Sequence, residues 1–302
     1  MFERIMLPLD GSEVAEITLP YGEELARELG SELILFHVRG PEHEYYERMH
    51  QMYLDRLAET SELNIRKDQP MGKDVRVTTK VESGEPHENI CNFVEKNGID
   101  LIIMASVSTA GIKVAKTLGS VADHVCRTVP IPVMLIRPQD IQRIESKKRL
   151  INRILLPLDG SKLSKLALPV VEELAVKMKT PITLFQMAHI IIPYNADGMN
   201  MDVITPTYYT QLSESEERRV QAEMVALEKE LRGKSLIVDH SVTSGFNAAN
   251  EIIEVSKKIS ADLIVMSTHG RSGLGRWFLG STTEKVLRHG EVPLLLVRAG
   301  AS

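Results

Sequence analysis

The stretch best suited to chemistry runs Ser267-Thr268-His269-Gly270-Arg271-Ser272-Gly273-Leu274-Gly275-Arg276-Trp277-Phe278-Leu279-Gly280-Ser281. It follows the apolar run LIVMS, carries four glycines and feeds a helical pattern. Glycines permit positive φ and let backbone approach a ligand closely. A helix N-terminus adds unpaired N–H donors and partial positive charge, which suits a phosphate. Arg271 and Arg276 add formal charge, and Ser281-Thr282-Thr283-Glu284 has the form of a capping box, with a hydroxyl at the N-cap and a carboxylate three residues on. These features describe a phosphate-binding loop. They also describe a glycine-rich turn before an ordinary capped helix, since loose glycine patterns are common. His269 is grouped with the loop and given no acid–base role, because a lone histidine there more often supports the turn.

The elements that must position this loop occur twice. RIMLPLDGSEVAEITLP at 4–20 recurs as RILLPLDGSKLSKLALP at 153–169, so Pro8, Asp10, Gly11, Ser12 and Pro20 return as Pro157, Asp159, Gly160, Ser161 and Pro169, each 149 positions later. Gly119-Ser120 recurs as Gly280-Ser281, and PVMLIR at 132–137 as PLLLVR at 293–298. The repeated unit is a whole domain. Strands are predicted near 4–9, 32–38, 75–82, 101–105 and 133–137, and again near 153–158, 182–188, 236–243, 263–267 and 294–298. Runs such as LIIMA and LIVMS lack polar alternation, as in strands buried on both faces of a parallel sheet. Val14, Ile17, Tyr21, Leu25 and Leu29 form a helical core stripe, copied by Leu163, Leu166, Val170, Leu174 and Met178. Pro20 and Pro169 predict a kink or a late helix start.

The expected architecture is α/β, with two tandem doubly wound parallel five-stranded sheets in domains 1–138 and 151–302 and a linker at 139–150. Ligands on such sheets bind at the carboxyl ends of strands where strand order reverses, which selects the loops after the first and fourth strands of each half. Asp159 stands in the first of these loops. Asp-Gly-Ser at a strand-to-helix junction is also a good turn and cap, so a purely structural role is open to Asp159 and to Asp10. His189 to Gln211 carries an insertion, read equally as a lid, a variable loop or an interdomain contact.

Composition narrows the class. The chain has 302 residues, 43% hydrophobic and 25% charged, which fits a globular protein of two domains. A net charge of −5 offers no basic footprint for nucleic acid, and no partner of that kind is expected. Lys147-Lys148-Arg149 lies between the repeats and reads as a solvated linker. Cys91 and Cys126 read as free or buried thiols of a reducing compartment. With no leader and no apolar run of about 20 residues, the expectation is a cytoplasmic protein without a membrane partner.

Taken together, PLDGS after the first strand and the glycine loop after the fourth resemble the universal stress protein family, across both halves. Nucleotide-binding members carry Gly, two residues, Gly, nine residues, then Gly-Ser or Gly-Thr. Gly270, nine residues and Gly280-Ser281 match, and Ser267 stands where the first glycine would be. The resemblance implies an adenine-nucleotide α-hydrolase-like fold and ATP, ADP or AMP as cofactor, with or without Mg²⁺. It implies that Asp159 contacts adenine, that Pro157 and Leu158 line that pocket, and that the Met187 backbone meets the base. It assigns Gly270, Gly280, Ser281 and Thr282 to ribose or phosphates, within a loop set that also takes in Ser267, His269, Arg271 and Gly273. Single-domain relatives dimerise through their last strands. A duplicated chain would make that pairing internally, Val133–Arg137 against Leu294–Arg298, as an intrachain pseudo-dimer, and a homodimer of whole chains stays open.

In the first half Ala105 and Ser108 occupy the first two glycine positions, and ten residues separate Ser108 from Gly119. A Cβ where positive φ is needed costs about 1–2 kcal/mol, so a retained fold with weak or absent nucleotide binding is expected there. The leading functional reading is a nucleotide-binding stress or regulatory protein. Slow ATP hydrolysis or adenylate-forming chemistry is the weaker alternative, because phosphoryl transfer needs a metal ligand and a group that positions the nucleophile. Adenylating relatives also carry Ser-Gly-Gly-x-Asp-Ser where Leu-Asp-Gly-Ser stands here. A partner-binding module with a vestigial site is the third reading.

Overall fold

A computed structural model describes residues 2–40, 47–67, 75–107, 118–190, 206–268 and 279–298. The first half runs β1 (Arg4–Leu9), α1 (Glu13–Glu16), α2 (Leu19–Leu29), β2 (Glu32–Arg39), α3 (Glu47–Lys67), β3 (Val77–Ser83), α4 (Pro86–Asn97), β4 (Leu101–Ala105), α5 (Ser120–Thr128) and β5 (Val133–Ile136). A short connection bearing α6 (Ile141–Ser146) leads into the second half. There the elements are β6 (Ile154–Leu158), α7 (Leu168–Met178), β7 (Ile182–His189), α8 (Pro206–Gly233), β8 (Val238–Gly245), α9 (Ala248–Lys258), β9 (Leu263–Ser267), α10 (Ser281–His289) and β10 (Leu294–Val297).

All ten strands form one sheet in the order β3-β2-β1-β4-β5-β10-β9-β6-β7-β8. Each half is parallel, and the halves join where β10 runs antiparallel to β5, with Leu294 opposite Leu135, Leu295 opposite Met134 and Leu296 opposite Val133. The internal pairing expected from the repeated PVMLIR and PLLLVR ends is therefore present, and it fuses two five-stranded sheets into one. Helices cover both faces. One apolar layer gathers Tyr21, Leu25, Leu54, Val170, Leu174 and Val220, from α2, α3, α7 and α8, while Ile90, Val125, Ile252 and Val286 of α4, α5, α9 and α10 belong to the other. Strands enclosed in this way need continuous apolar sequence, which LIIMA and LIVMS supply.

Both prolines mark late helix starts. Pro20 and Pro169 sit in the first turns of α2 and α7, where a missing N–H costs nothing. Ahead of them the halves diverge. Residues 13–16 form a short α-turn, whereas Ser164–Ala167 is a 3₁₀ turn. With 3.0 rather than 3.6 residues per turn the inward face changes phase. Ser164 and Ala167 turn inward, and Leu166, predicted in the core stripe, is 38% exposed.

The connection is docked. Lys147 pairs with Asp262, whose side chain is only 2% exposed, so Lys147 is not freely solvated as expected from composition, whereas Lys148 is exposed. Arg149 donates to the Met178 carbonyl and to Thr180 Oγ1. From the other side the buried Glu24 carboxylate accepts the N–H groups of Leu150 (2.7 Å) and Ile151 (3.0 Å). Burial pushes the Glu24 carboxyl above its ordinary value, and those two N–H bonds work against the rise.

Two arginines clasp the joint. Arg137, at the end of β5, donates to the Val286 and Leu287 carbonyls of α10 (3.2 Å each) and to Val292 O. Arg298, at the end of β10, donates to the Arg127 and Val129 carbonyls at the close of α5. Each half thus satisfies the C-terminal carbonyls of the other half's last helix, where positive charge is favoured. Both cysteines are free. Burial raises the thiol of Cys91 to about 11 and that of fully enclosed Cys126 to about 12.

Candidate functional site

Strand order reverses between β1 and β4 and between β6 and β9, and a cavity opens at the carboxyl end of each reversal. The second-half cavity has a volume of about 260 Å³. Pro157, Leu158 and Asp159 form one wall and Phe185, Met187 and His189 another. Met266 and Ser267 close the floor, Ala248 and Ile252 of α9 flank it, and Gly280 to Thr283 bring the start of α10 to the rim.

The loop after β6 is built by its own side chains. Asp159 Oδ1 accepts the Ser161 N–H at 2.9 Å, across Gly160, whose φ of +80° suits glycine. Ser161 Oγ accepts from Ser164 N (3.1 Å), while Ser164 Oγ donates to Ser161 O (3.0 Å) and accepts from Asp159 N (3.3 Å). The first half repeats the turn: Asp10 Oδ1 takes the Ser12 N–H (3.0 Å) and hydroxyl (2.5 Å), and Ser12 Oγ caps α1 through Ala15 N (3.2 Å). Turn-making is therefore part of the work of both aspartates.

At the rim the structure corrects the expected capping box. Gly280, not Ser281, is the N-cap of α10, with extended backbone and no side-chain cap bond. Ser281 is the first helical residue, and Glu284 reaches forward to Arg288 at 2.5 Å instead of back to the cap. Salt pairing along the helix face satisfies that carboxylate, so the reciprocal bond never forms. Gly280 is held by its N–H to Thr268 O (2.9 Å) and Thr283 Oγ1 donates to Ser267 O (3.3 Å), which fixes the helix start over the end of β9. A Cβ on Gly280 would stand 3.4 Å from Thr268 O, within ordinary contact, so the fold does not demand glycine there.

Of the residues singled out from sequence, Pro157, Leu158, Asp159, Met187, Ser267, Gly280, Ser281 and Thr282 all line this one cavity. His269, Gly270, Arg271 and Gly273 lie outside the described residues, as do 191–205 of the insertion. Sequence reasoning missed Ser164, Phe185, His189, Ile252, Met266 and Thr283. Thr283 and Met266 adjoin predicted positions, so proximity was a usable signal. Ser164 had none, because its inward direction depends on the 3₁₀ turn.

The first half keeps a cavity of about 230 Å³ at the same place, bounded by Pro8, Leu9, Asp10, Phe36 and Met104, with Gly119 and Ser120 at the start of α5. Gly119 repeats the Gly280 arrangement, as an N-cap without side-chain help whose N–H meets Ser106 O at 2.9 Å. Ser108 and the residues up to Thr117 lie outside the described residues.

The model of the universal stress protein family matches residues 1–137 and again 151–298. The chain belongs to the universal stress protein family. It is a tandem member, two family units in one polypeptide. A universal stress protein of Methanocaldococcus jannaschii is 50% identical over 50 residues, 17% of this chain and 29% of that relative. Universal stress protein YxiE of Bacillus subtilis is 28% identical over 152 residues, covering 45% of this chain and 100% of the relative. The crystal structure of a universal stress protein from Archaeoglobus fulgidus superposes with a TM-score of 0.70 at 19% identity, covering 98% of each chain, and so shares the fold.

Proposed function

We propose that this universal stress protein binds one adenine nucleotide, ATP, ADP or AMP, in its second half, and serves as a nucleotide-responsive stress or regulatory protein and not as a metabolic enzyme. The observation that carries the reading is the convergence in one cavity of Asp159 and Met187 at one end and Gly280, Ser281 and Thr282 at the other. The donor set fits such a ligand. An apolar slot between Pro157, Leu158, Phe185 and Met187 suits a flat base, and Asp159 stands beside it as an acceptor for an exocyclic amine. Hydroxyls of Ser164, Ser267, Ser281 and Thr282 suit ribose and phosphate oxygens, and the N-terminus of α10, capped by no side chain, favours negative charge. Gly270 completes the proposed loop by family pattern, with His269, Arg271 and Gly273 as its neighbours in sequence.

In the first half Ala105 replaces Ser267 and the glycine spacing is broken, so nucleotide binding there is proposed to be weak or absent. Equilibrium dialysis with labelled ATP, ADP and AMP, with and without Mg²⁺, tests the reading. The expected result is one nucleotide per chain, recovered unhydrolysed. Turnover above background that disappears in Asp159→Ala would replace this reading with the enzyme, and the absence of any bound nucleotide would replace it with a partner-binding module.

A further inference from the structure

The two cavities share their walls but not their chemistry. Pro8, Leu9, Phe36 and Met104 repeat Pro157, Leu158, Phe185 and Met266. Where the second cavity presents Ser164, Ser267, Thr282 and Thr283, the first presents Ala15, Ala105, Val121 and Ala122 at the corresponding places. Four hydroxyls have become four alkyl groups, three by loss of oxygen alone or with one methyl and one by exchange of a hydroxyl for a methyl. Yet the space stays open at about 230 Å³, against about 260 Å³ in the second half. Loss of a ligand site by drift would let larger side chains fill the gap; here four of the five hydroxyls are gone, Ser120 alone keeping its own, and the room is kept.

Chemistry then selects the occupant. A phosphate or a ribose entering this space would give up its hydration and meet alkyl groups at four places where the second cavity offers hydroxyls, with only Ser120 and the start of α5 to compensate. A largely apolar cavity of this size takes apolar rings, and methionine and phenylalanine walls favour aromatic ones. Two polar side chains remain, Ser120 at the start of α5 and the exposed Asp10. Asp10 Oδ1 is engaged by Ser12, and Oδ2 has no hydrogen-bond partner among the described residues. A carboxylate accepts and does not donate, so it calls for a donor on the ligand. We propose that the first-half cavity is a second ligand site, specific for an uncharged aromatic compound carrying a hydrogen-bond donor.

The proposal stands independently of nucleotide binding in the second half, and its test is read separately. The probe is N-phenyl-1-naphthylamine, an uncharged aromatic with one N–H whose fluorescence rises in apolar surroundings, titrated into the full chain. The expected result is a saturable rise with one site per chain, shifted less than twofold by saturating ATP, and with adenosine competing at least tenfold more weakly than unlabelled probe analogues. Restoring the hydroxyls together (Ala15→Ser, Ala105→Ser, Val121→Thr, Ala122→Thr) is expected to weaken the probe at least fivefold. Because four changes can harm folding, Val38→Trp, on the half-buried wall of the same cavity, provides a second variant and is expected to abolish the signal by filling the space. No saturable rise, a site that ATP or adenosine empties, or unchanged affinity in a folded variant would each overturn the proposal.

Discussion

Replacing Arg137 by methionine keeps the apolar stem of the side chain and removes only the guanidinium. In the native protein Arg137 is 4% exposed and its guanidinium donates to three carbonyls of the opposite half, Val286, Leu287 and Val292. Hydrogen bonds from a charged donor are worth about 1.5–3 kcal/mol each, and every carbonyl left buried and unpaired adds its own desolvation cost. Against this, methionine avoids burying a charge, which offsets several kcal/mol. The balance is a loss of about 3 kcal/mol. Arg298 is half-buried and serves two carbonyls, Arg127 and Val129, so Arg298→Met should cost only about 1 kcal/mol. Urea unfolding followed by far-ultraviolet circular dichroism reads both, with the midpoint falling further for Arg137→Met at unchanged slope. Stability of Arg137→Met within about 0.5 kcal/mol of the parent, or a larger loss in Arg298→Met, would refute the view that buried cross-capping holds the halves together.

Gly290→Ala tests the same joint from the other side: its Cβ would lie 2.7 Å from Val286 O and 3.2 Å from an Arg137 nitrogen, and a loss of about 1–3 kcal/mol in the same assay is expected. Glu24 provides a pH test. Its folded value is raised from 4.5 by burial, so the contribution of its titration to stability is complete below that value and is lost as pH rises through the folded one. The stability of the parent relative to Glu24→Gln should therefore fall as pH rises from 4.5 through the raised folded value, and a constant difference would contradict the assignment. The cysteines give a chemical readout. With thiols at about 11 and about 12, Cys91 and Cys126 should resist alkylation at pH 8 in the folded chain, Cys126 the more strongly, and both should react in urea.

Much of this was legible in the sequence because the chain repeats. The same motif at two places, PLDGS and the terminal PVMLIR and PLLLVR, located β1 and β6, the switch-point loops and the β5–β10 seam. What escaped depends on geometry that a linear pattern does not carry. The phase of Ser164 follows from a 3₁₀ turn where its counterpart Ala15 sits in an α-turn. Ser281 has the right neighbours for an N-cap, yet Gly280 holds that position because its N–H is anchored on Thr268 O. Arg137 and Arg298 were visible as repeated residues, but their targets lie more than 140 residues away along the chain. Docking of Lys147 depends on Asp262, 115 residues away along the chain.

The central claim is asymmetry between two similar cavities, and it is tested most directly by calorimetric titration of ATP, ADP and AMP into a matched pair of variants. Gly119→Val and Gly280→Val place the same branched side chain at equivalent N-caps, so any cost to helix capping is shared. The expected result is one nucleotide site per chain in the parent and in Gly119→Val, and none in Gly280→Val. Two sites in the parent, or loss of binding in Gly119→Val with retention in Gly280→Val, would contradict the account.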